Sequence, residues 1–516
     1  MMRANHTITA YFQGGTMAVT GTSVTGTSVT STSVTSVRPY WDLTFDADGD
    51  PDPRQRDALL EAVGDRTDVV VFSHGWNNDI ATATALYDGF FGHFPGLLAA
   101  APDLRFGYVG VHWPSMRFSD EPIPDFPRTS PTLAAPLADG AAASGAALDP
   151  LTRAALGEVF PGRGPTLDRI AELLAERPEA PERLAEFAAL VRTLTGLPPS
   201  PGAAARIPGA RGPAASGPTA SGPAAQGVAA QSLLAEDMGT APGAEPLLFT
   251  QDPVTTCLSL ADALATAGAE VAPAQPASGE ALFGGLGRRV WDGAKELLRQ
   301  ATYYAMKRRA GTVGQRGLGP LLGVLARRAP SVRVHLIGHS FGARLVSFAL
   351  DGMPSTVRVS SVTLLQGALS HYAFSGPQPF DARGGALHGR QQRVTGPLVA
   401  CHSRHDQALG VFYPLASRLA GEDESLLGDI AHAGADLLGF DERWGALGHD
   451  GFQALDGAPE LTLERALAGE LPRTGCVSVD ASSVVCSGGP PSGAHSDICH
   501  EELARLVLRA AGRVPG

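Results

Sequence analysis

The chain predicts an α/β protein built on a parallel sheet, and three observations carry that expectation. Residues 68–73, Asp-Val-Val-Val-Phe-Ser, and 106–112, Phe-Gly-Tyr-Val-Gly-Val-His, are continuous apolar runs separated by a helical stretch over 80–100. Strands apolar on both faces, joined through a helix, are those of a parallel sheet covered on both sides. Further apolar runs follow at 332–337, 359–365, 398–401 and 476–485, with helical patterns between most of them. Hydrophobic residues make up 44% and charged residues 18% of the 516, enough apolar material for a large core.

The leader, 1–37, is expected to be disordered, because 19–36 reads VTGTSVTGTSVTSTSVTS, a five-residue repeat with no apolar face. Met17 just before it offers an alternative start. The organised chain begins near Tyr40-Trp41-Asp42-Leu43-Thr44-Phe45, an alternating strand closed by the turn residues 46–51. That acidic turn is a poor calcium loop: counted from Asp46 it has Pro51 where a glycine is needed and Asp57 where a bidentate Glu is needed. More than two hundred residues separate Trp113 from the run at 332, far beyond a normal crossover, so something is inserted. Within it, 151–196 is helical in pattern, with Leu167, Ile170, Leu173 and Leu174 on one face, and 199–231 is rich in Ala, Gly, Pro and Ser. The expected division is a core of 38–114 and 291–516, split by an inserted cap and linker over 115–290. Much of the surplus punctuation, Gly 62 and Pro 40, falls in that insertion.

The net charge of −12 repels phosphate backbones and anionic lipid surfaces, so nucleic acid is not an expected partner. The five cysteines show no C-x-x-C or Cys/His metal spacing, and reduced thiols in a cytoplasmic protein are the expectation. No secretory signal is evident, and no run of about 18 uncharged apolar residues could span a membrane. No G-x-G-x-x-G follows the first strands, which argues against a dinucleotide site.

The chemistry concentrates at Gly338-His339-Ser340-Phe341-Gly342, which follows the run 332–337 and opens the helical pattern ARLVSFAL. This is G-x-S-x-G in the strand–turn–helix setting that gives it meaning: Gly338 and Gly342 leave room for a sharp turn that strains the serine and holds out its hydroxyl. A serine needs a base and an orienting carboxylate, in chain order Ser, Asp or Glu, His for such a turn. Asp406 is the first carboxylate after the run 398–401; Asp381 is its distant rival, and a turn or cap is the alternative role for Asp406. His495 lies after the last strand and before the last helix, where a base belongs. His500, at the mouth of that helix, suits a surface or capping role, and His449, before the last strand, a structural one. Two N–H donors are needed for the oxyanion of acyl transfer: the Phe341 amide, and the Trp76 amide in His74-Gly75-Trp76-Asn77-Asn78, where Gly75 permits close approach. The alternative for that loop is a glycine turn with His74 bonded to backbone.

The runs VVVFSHGWNN and VHLIGHSFGAR resemble those of the α/β-hydrolase superfamily, in its lipase and esterase branch, over roughly 68–115 and 331–511. The resemblance implies a mostly parallel eight-stranded sheet with helices on both faces, a Ser340-Asp406-His495 triad, and neither metal nor organic cofactor. The long insertion departs from the compact pattern and sits where such enzymes often carry caps. The expected activity is hydrolysis of a small-molecule carboxylic ester through an acyl-enzyme. A thioesterase, lipase, amidase or acyltransferase would use the same residues, and a non-catalytic binding protein of the same fold is the competing class. Trp76, Trp113, Phe341, Tyr372 and Phe374 would suit an acyl or aromatic group, or plain core packing.

Overall fold

The computed structural model describes residues 35–116, 118, 147–195, 249, 251–273, 286–379, 382–420 and 444–513. The repeat of 19–36, apart from Thr35 and Ser36, the Ala/Gly/Pro/Ser-rich segment 199–231, and Asp381 lie outside them. Within them the chain forms β1 (Tyr40–Thr44), α1 (Pro53–Ala62), β2 (Asp68–Ser73), α2 (Ile80–Phe91), α3 (Phe94–Leu98) and β3 (Phe106–His112). Next come α4 (Pro150–Val159), α5 (Gly164–Glu176), α6 (Pro181–Leu194), α7 (Pro253–Thr266), α8 (Leu286–Thr312) and α9 (Gly319–Arg328). The rest is β4 (Arg333–His339), α10 (Phe341–Gly352), β5 (Ser361–Leu365), β6 (Pro397–His402), α11 (Tyr413–Ala420), β7 (Glu460–Thr462), β8 (Gly475–Asp480) and α12 (Glu501–Ala510).

Local chemistry sets many of these boundaries. Three helices begin at an Asp-Pro pair: Asp52, Asp149 and Asp252 accept main-chain N–H bonds from the first turns of α1, α4 and α7, each with proline directly after the cap. The carboxylate satisfies otherwise unpaired donors, and proline's missing N–H costs nothing there. The helix expected over 80–100 divides instead into α2 and α3, because Pro95 begins a new first turn after Gly92. The strand expected over 476–485 ends at Asp480, whose carboxylate accepts the Ser482 N–H at 2.9 Å and turns the chain.

All eight strands run parallel, in the order β1-β3-β2-β4-β5-β6-β8-β7. Alternation along each strand divides the core in two. Val69, Val71, Val109, Val111, Leu336, Val362 and Leu398 share one cluster with α1 and with α4 to α10. Val70, Phe72, Tyr108, Ile337, Leu365, Val399 and Val477 share the other with α2, α3 and α12. The helices of 150–194 and 253–266 thus join the main core on one sheet face, and the expected boundary at 290/291 falls inside α8.

The sheet winding reverses between β2 and β4. From β2 the chain crosses one face to β3, while from β4 it crosses the other face to β5 in the opposite direction. Where adjacent parallel strands send their connections apart, a crevice opens at their carboxyl ends, the usual ligand position in such sheets. Ser73 at the end of β2 pairs with Gly338 near the end of β4, so the loop after each strand opens on that crevice. No helix among the described residues is long and apolar enough to cross a membrane.

Candidate active site

Ser340 stands between β4 and α10 with φ 55° and ψ −122°, a left-handed backbone that a side chain adopts only under strain. Tight packing holds it there. A Cβ on Gly342 would fall 2.0 Å from the Ser73 carbonyl oxygen, and one on Gly338 would fall 2.4 Å from that of Gly342. The motif glycines are therefore required by steric contact, since strand, turn and helix are closer than any side chain allows.

Four loops, all at the carboxyl end of the sheet, meet at this serine. Ser340 Oγ donates to His495 Nε2 at 2.8 Å, and His495 Nδ1–H donates to Asp406 Oδ2 at 2.7 Å. Asp406 is wholly buried; its other oxygen accepts the Leu409 N–H at 3.0 Å. It thus fills the turn-capping role and the histidine-orienting role at once. The loops carrying Asp406 and His495 are joined by main-chain bonds, with Ala494 N–H donating to the His405 carbonyl at 2.9 Å and Asp406 bridged to Gly493. These contacts lock the imidazole in the tautomer whose Nε2 can accept the serine proton.

The loop after β2 comes equally close. A Cβ on Gly75 would lie 2.6 Å from the Ser340 Cβ, so the main chain of Gly75 and Trp76 presses against the nucleophile turn. Phe341 is the first residue of α10, so its amide has no acceptor within the helix. His74 Nδ1–H donates to the Gly75 carbonyl at 2.8 Å, and its Nε2 accepts the Trp113 N–H at 3.4 Å. Trp113 also stacks on His74, with ring centroids 5.5 Å apart, and its indole N–H donates to the His74 carbonyl. The backbone-bonded His74 turn and the close approach of Gly75 therefore coexist. Burial, aided by the neighbouring His112, lowers His74 to about 3, so it is neutral at ordinary pH.

Of the aromatic residues singled out from the sequence, Trp76 and Phe341 line the pocket over Ser340. Trp113, Tyr372 and Phe374 are buried and absent from its lining. His500 pairs through Nε2 with Asp497 at 2.8 Å, and although it occupies the cap position of α12, its side chain does not cap that helix. His449 bonds Asp450, which also accepts from His371, and does not line the pocket over Ser340.

Sequence reasoning missed the wall formed by α8. Glu296, Gln300 and Tyr303 recur at helical spacing and line the pocket with Arg299. The signal was available as polar side chains at i, i+4 and i+7 beside the buried Leu297, Leu298 and Ala301. Tyr303 packs against Phe341 at 4.8 Å and Trp76 at 5.7 Å between ring centroids. His339 was also missed as a partner: its Nε2–H donates to the His495 carbonyl at 2.8 Å. No group of three His, Cys, Asp or Glu among the described residues could hold a metal.

Compared with protein-family models, with curated proteins and with solved structures, the chain matches none.

Proposed function

We propose that this chain is a serine hydrolase of the α/β-hydrolase type, which cleaves a carboxylic ester through an acyl-enzyme. The observation that carries the reading is the unbroken chain Ser340 Oγ, His495, Asp406, at 2.8 and 2.7 Å, on a strained serine at the sheet's winding reversal.

In this reading Ser340 Oγ attacks the ester carbonyl carbon as His495 Nε2 takes its proton. The carbonyl π electrons move to oxygen, and the Phe341 and Trp76 amides donate to that oxyanion. Collapse of the tetrahedral intermediate breaks the bond to the alcohol oxygen, which receives the proton from His495. Water then attacks the acyl carbon as His495 takes a proton from it. Collapse returns that proton to Ser340 and releases the acid. Asp406 accepts the Nδ1–H and holds the imidazolium in place. Thioester hydrolysis and acyl transfer to another alcohol use the same steps with a different leaving group or acceptor.

A fluorophosphonate probe tests the reading. Wild type is expected to be labelled and Ser340→Ala not, with p-nitrophenyl ester turnover lost in parallel. A folded wild type that neither labels nor hydrolyses at neutral pH would favour the non-catalytic binding protein.

A further inference from the structure

We propose that the pocket over Ser340 recognises a secondary amide in the acyl part of its substrate, so that the preferred ester is an N-acylamino ester and not one with a plain alkyl chain. This inference rests on the esterase reading above. Several polar atoms of pocket-lining side chains are shut away from water without a hydrogen-bond partner: Trp76 Nε1, Tyr303 Oη, Gln300 Oε1, Asn78 Oδ1 and His339 Nδ1. Burying such a group unpaired is costly, and the aromatic packing around them accounts for their burial while leaving the polar atoms bare.

The hydrogen-bonding sense of the set is fixed. Gln300 is 4% exposed, and its amide nitrogen donates to Glu296 Oε1 at 2.7 Å. That bond orients the amide and leaves Oε1 as an acceptor. The Trp76 indole can only donate, and the Tyr303 hydroxyl can do either. The pocket thus offers one fixed donor, one adjustable group, and the acceptor Gln300 Oε1, joined by Asn78 Oδ1 and by His339 Nδ1, whose residues donate elsewhere. An alkyl chain satisfies none of them. A carboxylate or phosphate would answer the donors but face the acceptors Gln300 Oε1, Asn78 Oδ1 and His339 Nδ1 with a negative charge, and the cation lining the pocket, Arg299, already pairs with Glu296 at 3.4 Å. An ammonium would answer the acceptors and leave the indole bare. A neutral group that both donates and accepts can pair with Trp76, Tyr303 and Gln300 together. In a secondary amide the N–H and C=O point in opposite directions, which suits a donor on the loop after β2 and an acceptor on α8.

The test compares p-nitrophenyl esters of N-acetyl-β-alanine and of hexanoic acid, whose acyl chains have equal length, with the ester of a hydroxyhexanoic acid as a third arm. Each kcat/KM is divided by the ester's hydroxide-catalysed rate. The N-acetyl-β-alanine ester is expected to lead by roughly tenfold or more, because a site built to hydrogen-bond a substrate group rejects analogues lacking it. The lead should fall by about tenfold in Gln300→Leu and in Trp76→Phe. Fluorophosphonate labelling of each variant shows that it is folded, and if one does not label, the other decides. Equal rates, a lead for the hexanoate or hydroxy ester, or a lead that survives both substitutions overturns the inference and leaves the esterase reading standing. A wild type that neither labels nor cleaves any of the three overturns both.

Discussion

The His339 Nε2–H donates to the main-chain carbonyl of His495 at 2.8 Å, and the two rings lie with centroids 5.0 Å apart. The residue beside Ser340 thus tethers the loop that carries His495. Burial, followed by the nearby His495, lowers His339 to about 3, which keeps it neutral. In the proposed mechanism, no second positive charge then opposes the imidazolium formed at His495. His339→Phe keeps the bulk and removes the donor. We expect a stability loss of about 1 kcal/mol and a roughly tenfold lower kcat with retained labelling, measured by urea unfolding and steady-state kinetics. An unchanged kcat would show that the tether does not position the base.

Asp406 orients His495 through one carboxylate oxygen while the Leu409 N–H holds the other, and its burial excludes water that could replace it. Asp406→Asn is expected to leave the fold intact and lower kcat by roughly 10⁴-fold, because an amide nitrogen facing Nδ1 stabilises the wrong tautomer. Circular dichroism and single-turnover kinetics check the two halves of this outcome.

Two glycines near Ser340 should respond differently to alanine. At Gly75 the new methyl would meet the Ser340 side chain at 2.6 Å and displace the loop that offers the Trp76 amide. A fall in kcat of roughly 10²- to 10³-fold is expected, the usual consequence of losing one oxyanion donor. At Gly342 the methyl would meet the Ser73 and His74 carbonyl oxygens at 2.0 and 2.5 Å, where neither strand nor helix can yield. There a loss of about 2–3 kcal/mol in stability is expected. Equal effects of the two substitutions on both readouts would show that the loop and the strand–helix contact are not separable.

The pH dependence of activity should be simple on its acid side. His74 and His339 are both held to about 3, chiefly by burial, so neither takes up a proton as pH falls from neutrality toward 4. Neither flanking histidine then adds a second proton to the acid limb, and log kcat/KM against pH should rise there with a slope of about one. A slope near two would mean that a flanking histidine titrates with it.

Stability should carry a separate signature at Asp497. Its carboxylate accepts the Cys486 and Ser487 N–H groups at 3.0 and 2.8 Å and pairs with His500, anchoring the loop that leads to His495. The bond to Asp497 raises His500 above its ordinary value near 6.5. That contribution is complete below about 6.5 and is lost as pH rises through the folded value. Partial burial pushes Asp497 upward, but His500 and the two amides outweigh it and its net shift is downward. That contribution is present above the ordinary carboxylate value and is lost as pH falls through the folded one. Asp497→Ala should therefore cost most near pH 5 to 6, about 1 kcal/mol for a pair this exposed, and less at pH 9. Thermal unfolding across that range tests it; a deficit that grows toward pH 9 would contradict the assignment.

The sequence by itself determined the features that depend on neighbours along the chain. The runs at 68–73, 106–112 and 398–401 are apolar between their ends because both faces of those strands are buried, and the glycines around Ser340 mark a turn no other residue could make. The order of Ser340, Asp406 and His495 was legible for the same reason, since each follows a recognisable strand. Tertiary structure alone decided the rest. The order of the strands, with β3 placed outside β2, comes from which helices cover which face. The three-residue edge strand β7 is too short to show a period of its own. Above all, α8 became the wall of the pocket, although its polar residues read as ordinary positions of a long helix. A hydrogen-bonding side chain left unpaired in the interior is defined by what surrounds it. Only packing from the loop after β2, from α8 and from the nucleophile turn shows that Trp76, Gln300 and Tyr303 lack partners.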